Sequence, residues 1–262
     1  MAVLRDLEPL WTPTAERIEK ARITELMRRQ AARGVAARTF EDLYQWSISD
    51  REAFWEAVWD FCGVVGERGE RTLVHGERMP GARWFPEARL NFAENLLRRR
   101  DDEPAILFRR EDGLRRQLSF HELYEEVGRL HAAFRAAGMQ PGDRVAAILP
   151  NIPEAVAAVL AVASLGGIWS SCSPDFGAAG VLDRFGQIEP KFLLAADGYV
   201  YKGTRFDSSE KLATIQAGLP TVERTVVVPY ATVDPPVRNL RNAVSWREFA
   251  GEGAPPEPKF AR

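Results

Sequence analysis

Residues 164–191, Ser164-Leu-Gly-Gly-Ile-Trp-Ser-Ser-Cys-Ser-Pro-Asp-Phe-Gly-Ala-Ala-Gly-Val-Leu-Asp-Arg-Phe-Gly-Gln-Ile-Glu-Pro-Lys191, decide the fold. Read as chemistry, they contain a helix end, a short apolar strand over 168–170, a polar loop from Ser170 to Gly177, and a helix over 178–188. An apolar strand followed by a small polar loop and a helix is the repeating unit of a parallel sheet. Open α/β sheets place ligands beyond the carboxyl ends of their strands, which is where this loop falls.

The pattern extends on both sides. Ala105–Phe108 and Arg116–Leu118 flank Glu111-Asp112-Gly113, a hairpin signal. Ser119 and Glu122 form a capping box before a helix whose Leu123, Val127, Leu130 and Phe134 share one face and which Gly138 ends. Val145–Leu149 reads as a strand, and Asn151 with Glu154 as the cap of a helix running to about Leu165. Strand 192–196, helix 208–217 and strand 224–228 follow. Strand and helix alternate four times, and the strands are apolar enough for burial on both faces. The fold class is therefore α/β, a mostly parallel sheet with helices on both faces. Residues 229–262, with six prolines, read as surface loop apart from a short helix near Trp246.

The first hundred residues differ in character and hold five of the seven tryptophans. A helix is expected from near Thr14 to about Arg33, ended by Gly34, and another after Ser49-Asp50 with Phe54, Val58 and Phe61 along one face. Trp55 and Trp59 at helical spacing read as packing residues. Arg83–Leu97 reads as an irregular wrap followed by a short helix, and the charged link Arg98–Asp102 as the boundary between a mainly helical segment, 1–100, and the α/β part, 101–262.

Composition narrows the function. With 45% hydrophobic and 27% charged residues and a net charge of −2, the chain is an ordinary globular protein with no bias toward nucleic acid or anionic membrane. Two cysteines, Cys62 and Cys172, make neither a disulfide framework nor a metal site. The first residues lack the apolar core of a signal peptide, and no run approaches the roughly 20 residues needed to span a bilayer. A cytoplasmic protein is expected.

His75, His121 and His131 stand in no nucleophile arrangement, and neither HExxH nor CxxC occurs, so no catalytic residue and no metal ligand is assigned. No glycine-rich phosphate loop is present, and Lys202-Gly203-Thr204 alone is too short to be one. Ser170–Gly177 is the candidate ligand loop, although on local chemistry alone a helix start at Pro174 and Asp175, with Asp175 as its cap, is the simpler reading. Cys172 reads as a small packing residue. Lys191 and Arg184 are candidate anion contacts near the same sheet edge, and Tyr201–Thr204 is a loop beside Ser173.

Four stretches carry a family resemblance: Met79–Leu97, Gly142–Glu154, the opening stretch, and Ser47-Ile-Ser-Asp-Arg-Glu-Ala-Phe-Trp55. Together they resemble acetoacetate–CoA ligases, a branch of the acyl-adenylate-forming superfamily, from Leu10 onward. The resemblance implies synthesis of an acyl-adenylate from acetoacetate and ATP with Mg2+, followed by attack of the CoA sulfur. It further implies that Ser173, Pro174 and Asp175 fall where acetyl-CoA synthetases line their CoA channel. Tyr201 and Thr204 fall where two arginines hold the CoA 3′-phosphate, leaving Lys202, next to Gly203, as the basic group there. The family's Ser-Gly-Thr-Thr-Gly-x-Pro-Lys loop and its adenylation lysine have no counterpart among these residues. The chain is thus expected to be an amino-terminal portion, inactive alone, binding CoA at most and needing its carboxyl-terminal half or a partner subunit. Another short-chain acyl-CoA synthetase and a non-catalytic CoA-binding protein are the alternatives.

Overall fold

The computed structural model describes residues 10–235, 237–253 and 255–262. It divides into two compact units, one ending at Arg89 and one spanning Leu90–Arg262.

The first unit is mainly helical: α1 (Ala15–Glu19), α2 (Arg22–Ala31), α3 (Phe40–Ser49) and α4 (Arg51–Cys62). Two-residue strands β1 (Gly66–Glu67), β2 (Leu73–Val74) and β3 (Arg83–Trp84) follow, and β4 (Arg89–Leu90) lies at the division. The single helix expected over 14–33 is broken, because Ala21 is extended and the Thr24 hydroxyl donates to the Ile18 carbonyl at 2.6 Å. A side-chain donor there replaces the helical amide. Helix α3, absent from the sequence reading, starts at a capping box of Thr39 and Asp42. Asp50 caps α4 through the Ala53 amide. Trp55 and Trp59 pack as expected, edge-on to Phe54 and Trp84 and against Phe85 respectively.

The second unit opens with α5 (Phe92–Leu96), the hairpin β5 (Pro104–Arg109) and β6 (Arg115–Ser119), and α6 (Phe120–Ala136) behind its Ser119–Glu122 capping box. Then come β7 (Arg144–Ile148), α7 (Pro153–Ser164), β8 (Ile168–Cys172), α8 (Ala178–Gly186) and β9 (Phe192–Ala196). The chain continues through β10 (Gly198–Tyr201), β11 (Thr204–Asp207), α9 (Ser209–Ala217), β12 (Arg224–Val228), β13 (Ala243–Ser245) and α10 (Trp246–Ala250). Five strands form one parallel sheet in the order β13-β12-β9-β7-β8.

Strand side chains alternate faces, and the two cores follow that alternation. Val145, Ala147, Phe192 and Leu194 join Val127, Leu130 and Phe134 of α6 and Ala157 and Ala161 of α7. Ala146, Ile148, Leu193 and Ala195 join Val181 and Phe185 of α8 and Leu212 and Ile215 of α9. Helices thus cover both faces, as the uninterrupted apolar strands require. Each fully buried Leu, Ile or Phe contributes about 2 kcal/mol.

Three boundaries differ from expectation. Helix α7 begins with Pro153 after Ile152 and has no side-chain cap, since Glu154 pairs with Arg116 at 2.6 Å. Strand β8 extends to Cys172, because Ser170, Ser171 and Cys172 pair with Ala146, Ala147 and Ile148. The 229–262 region contains β13, which adds the fifth strand.

The carboxyl-terminal stretch packs on α5 and α7. Asn91 donates to the carbonyls of Ala163 and Ala261, Ala261 N–H donates to the Ser164 carbonyl, and Arg262 pairs with Glu94 at 2.7 Å. Beneath it, buried His131 shares a 2.8 Å hydrogen bond between Nδ1 and the Ser164 hydroxyl, which itself donates to the Ala161 carbonyl. Burial, with Arg135 nearby, pushes the His131 pKa below its ordinary 6.5. Below that value the unfolded chain takes up a proton that the folded chain refuses, so stability present at neutral pH is lost as pH falls. Urea unfolding between about pH 7.5 and 5.5 is predicted to show a declining midpoint. The decline is predicted to flatten in His131→Gln; an identical slope in both proteins would contradict the assignment.

Candidate functional site

Strand β7 leads through α7 to β8 on one side, whereas β9 leads through α9 to β12 on the other. Because α7 and α9 lie on opposite faces, the loops leaving β7 and β9 diverge and a crevice opens beyond their carboxyl ends. A cleft of about 670 Å³ occupies this point. Leu149, Pro150 and Asn151 after β7 form its floor, and Ser171–Asp175 form one wall. Tyr199–Tyr201 of β10 form the other, with Tyr230 after β12.

The hairpin wall has a two-residue turn. Tyr201 pairs with Thr204, and Lys202 and Gly203 between them both have positive φ, the type I′ geometry that matches strand twist. Gly203 N–H donates to a Glu111 carboxylate oxygen at 2.9 Å. At the base of the hairpin a Cβ on Gly198 would stand 2.2 Å from the Phe206 carbonyl oxygen, so only glycine allows β10 to start there.

Asp197 fixes this wall to the sheet. Its buried carboxylate accepts from the amides of Tyr230, Ala231 and Thr232 at 2.8, 2.8 and 2.7 Å, and from the Thr232 hydroxyl at 2.6 Å. Arg110 completes the support: it donates to the Tyr230 carbonyl at 2.8 Å and lies over the Tyr230 ring.

The opposite wall is the loop Ser173–Gly177. Helix α8 is capped by Gly177 without a side-chain bond, so Asp175 is not its cap. Cys172 at the root of the loop is buried, and burial pushes its thiol pKa up, which makes it a packing group. Lys211 of α9 donates from Nζ to the Pro174 carbonyl, and burial pushes its pKa down against the pull of Asp175.

Of the residues singled out from sequence, Ser173, Pro174, Asp175 and Tyr201 line one cleft. Lys202, Gly203 and Thr204 continue from Tyr201 around the turn, with Lys202 Nζ 5.3 Å from the Tyr201 ring centre. Lys191 is not near them. It precedes β9 at the amino end of the sheet and is held by Asp143 at 2.9 Å and the Gly138 carbonyl. Arg184 lies over the Phe176 ring and is not among the residues that line the cleft. None of the three histidines lines the cleft. Among the described residues no group of three or more His, Cys, Asp or Glu is placed to hold a metal ion, and no helix is long and apolar enough to cross a membrane.

Sequence reading missed Asn151, Tyr199, Tyr230, Asp197 and Lys211. Asp197-Gly198 directly after the apolar run Phe192–Ala196 was an available signal, since a carboxylate and a glycine at a strand's end suit turn construction. Lys211 carried no signal, because its partner is 37 residues distant.

The family model for AMP-binding enzymes matches residues 92–259, and that for the acetyl-coenzyme A synthetase N-terminus matches residues 40–96. An acetoacetyl-coenzyme A synthetase of Rhizobium meliloti is 50% identical over 85% of this chain and 34% of that protein. An acetoacetyl-CoA synthetase of Macaca fascicularis is 42% identical over the same shares, 85% and 34%. The solved acetoacetyl-CoA synthetase from Streptomyces lividans superposes with a TM-score of 0.88 at 39% identity, covering 97% of this chain and 39% of that one. The chain therefore spans little more than a third of the length of these relatives.

Asp197→Asn keeps the shape but replaces one of the two buried acceptor oxygens with an amide NH2, placing its hydrogens against backbone N–H donors. A loss of about 3 kcal/mol in urea unfolding is predicted for a buried carboxylate with several donors. A loss under about 0.5 kcal/mol, the range of ordinary surface changes, would contradict the role given to it.

Proposed function

Because the chain belongs to the AMP-binding enzyme family, we propose that it is the amino-terminal part of an acetoacetate–CoA ligase and that its cleft receives CoA. The observation that carries this reading is the meeting of Ser173, Pro174, Asp175 and Tyr201 in one cleft at the switch point of the sheet. Relatives of that activity at 50% and 42% identity support the acyl group.

The cleft suits a long, mostly neutral ligand arm. Tyr199, Tyr201, Tyr230, Pro150 and Pro174 offer apolar faces, and Asn151, Ser171 and Ser173 offer hydrogen-bonding groups. CoA, when bound, supplies the thiol that attacks the acyl-adenylate. This chain's part is to hold the arm and exclude water around it. Lys202 at the hairpin turn is the basic group beside Tyr201 and takes the 3′-phosphate of CoA.

Adenylation itself needs positive charge gathered around the transferring phosphorus. Lys191 is committed to Asp143 and Lys211 to Pro174, so neither is available for that task. We place that machinery, with ATP and Mg2+, in the portion of the relatives that this chain does not span. The open edge at β8, where Ile168 is 52% exposed, and the nearby Leu107 at 74% support a covering segment there.

Two outcomes follow. The 262-residue chain is predicted to release no pyrophosphate from ATP and acetoacetate, while the longer polypeptide that contains it does so in an acetoacetate-dependent manner. Acetoacetate-independent release, or full activity from the short chain, would contradict the assignment. Lys202→Ala is predicted to weaken CoA about fivefold, the scale of an exposed ion pair, and dephospho-CoA hardly at all. Equal weakening of both ligands would remove Lys202 from the phosphate contact.

A further inference from the structure

Among the described residues, one hydrogen bond reaches Ser173–Phe176 from another element: the bond from Lys211 Nζ to the Pro174 carbonyl oxygen. The loop's other backbone bonds are internal or run along its own chain, such as Phe176 N–H to the Ser173 carbonyl. Pro174 has no amide hydrogen to offer.

The same ammonium lies 5.3 Å from the ring centre of Tyr199, on the opposite wall. That ring is stacked on Phe206 of the paired strand at 4.8 Å and 11°, so it is a fixed surface. Lys211 thus touches both walls at once, holding one by a charge-assisted hydrogen bond and the other through a ring face. Asp175 supplies the neighbouring negative charge.

We propose that Lys211 is a positioning residue, a strut that joins the two walls of the cleft and sets the conformation of the Ser173–Gly177 loop. The proposal rests on the reading of this cleft as a CoA site only for its effect on ligand binding. Its structural part stands on the contacts alone. Without the strut, the loop keeps its internal bonds but loses its tie to the hairpin, and the buried Cys172 at its root becomes accessible.

Cys172 provides the readout, and exposed Cys62 in the other unit provides an internal control. Alkylation of both thiols by iodoacetamide is followed by peptide mass spectrometry in the wild-type chain, Lys211→Met and Lys211→Arg. In Lys211→Met the Cys172 rate is expected to rise about tenfold, the factor one charge-assisted hydrogen bond is worth, with Cys62 unchanged. Lys211→Arg keeps a cation and is expected to restore most of the slow rate. Tyr199→Leu, which removes the ring face from Lys211 together with its stacking on Phe206 and leaves the Lys211–Pro174 hydrogen bond in place, is expected to raise the Cys172 rate about threefold, and it decides the matter if Lys211→Met does not fold.

CoA affinity, measured on the same proteins by calorimetry, is expected to fall about tenfold in Lys211→Met and to recover in Lys211→Arg. An unchanged Cys172 rate in Lys211→Met, or an arginine variant as fast as the methionine one, overturns the strut. A wild-type chain that binds no CoA overturns the reading of the cleft instead, and the alkylation rates still decide the role of Lys211.

Discussion

A parallel strand that is apolar on both sides must be covered on both sides, and the rest of this chain follows from that constraint. Val145, Ala147 and Leu194 face one core while Ala146, Ile148 and Leu193 face the other. Crossover helices must therefore lie on both faces. Once α7 and α9 lie on opposite faces, the loops after β7 and β9 part, and a crevice opens between them at the carboxyl edge of the sheet. The cleft is a consequence of burying the sheet, and the polar residues around it are free to be chosen for a ligand.

What turns that crevice into a defined site is a small set of polar contacts from outside the sheet core. Asp197 gathers the amides of Tyr230–Thr232, and Gly198 permits the hairpin to leave β9 at close quarters. Lys211 reaches the loop on the other side. Buried acceptors with several donors hold geometry more strictly than apolar contacts do, because a misplaced partner leaves a group unsatisfied. The cleft walls are thus set by hydrogen bonds, while their foundation is set by packing.

The parallel sheet was legible because its signals are local: alternating apolar runs, a Ser119–Glu122 cap, a Glu111-Asp112-Gly113 turn. The loop Ser173–Gly177 was legible for the same reason, as a polar cluster at a strand's end. Where local chemistry is ambiguous the reading went astray. The Thr24 hydroxyl breaks a helix that propensity alone would continue. Ser171 and Cys172 follow a polar residue at the end of an edge strand, so they read as loop although they pair with β7. Tyr201–Thr204 read as loop because the turn rests on positive φ at Lys202, a residue that rarely adopts it. Lys191 and Lys211 show what sequence position cannot supply. They are equivalent on paper, yet one lies at the amino end of the sheet and the other behind the cleft.

A hydrogen-exchange footprint decides whether the cleft at the carboxyl edge receives CoA. With CoA present, exchange is predicted to slow in peptides covering residues 171–176 and 199–203, and not to change in peptides covering the amino end of the sheet around residues 188–192. Protection confined to other surfaces, or none at saturating CoA, would contradict it.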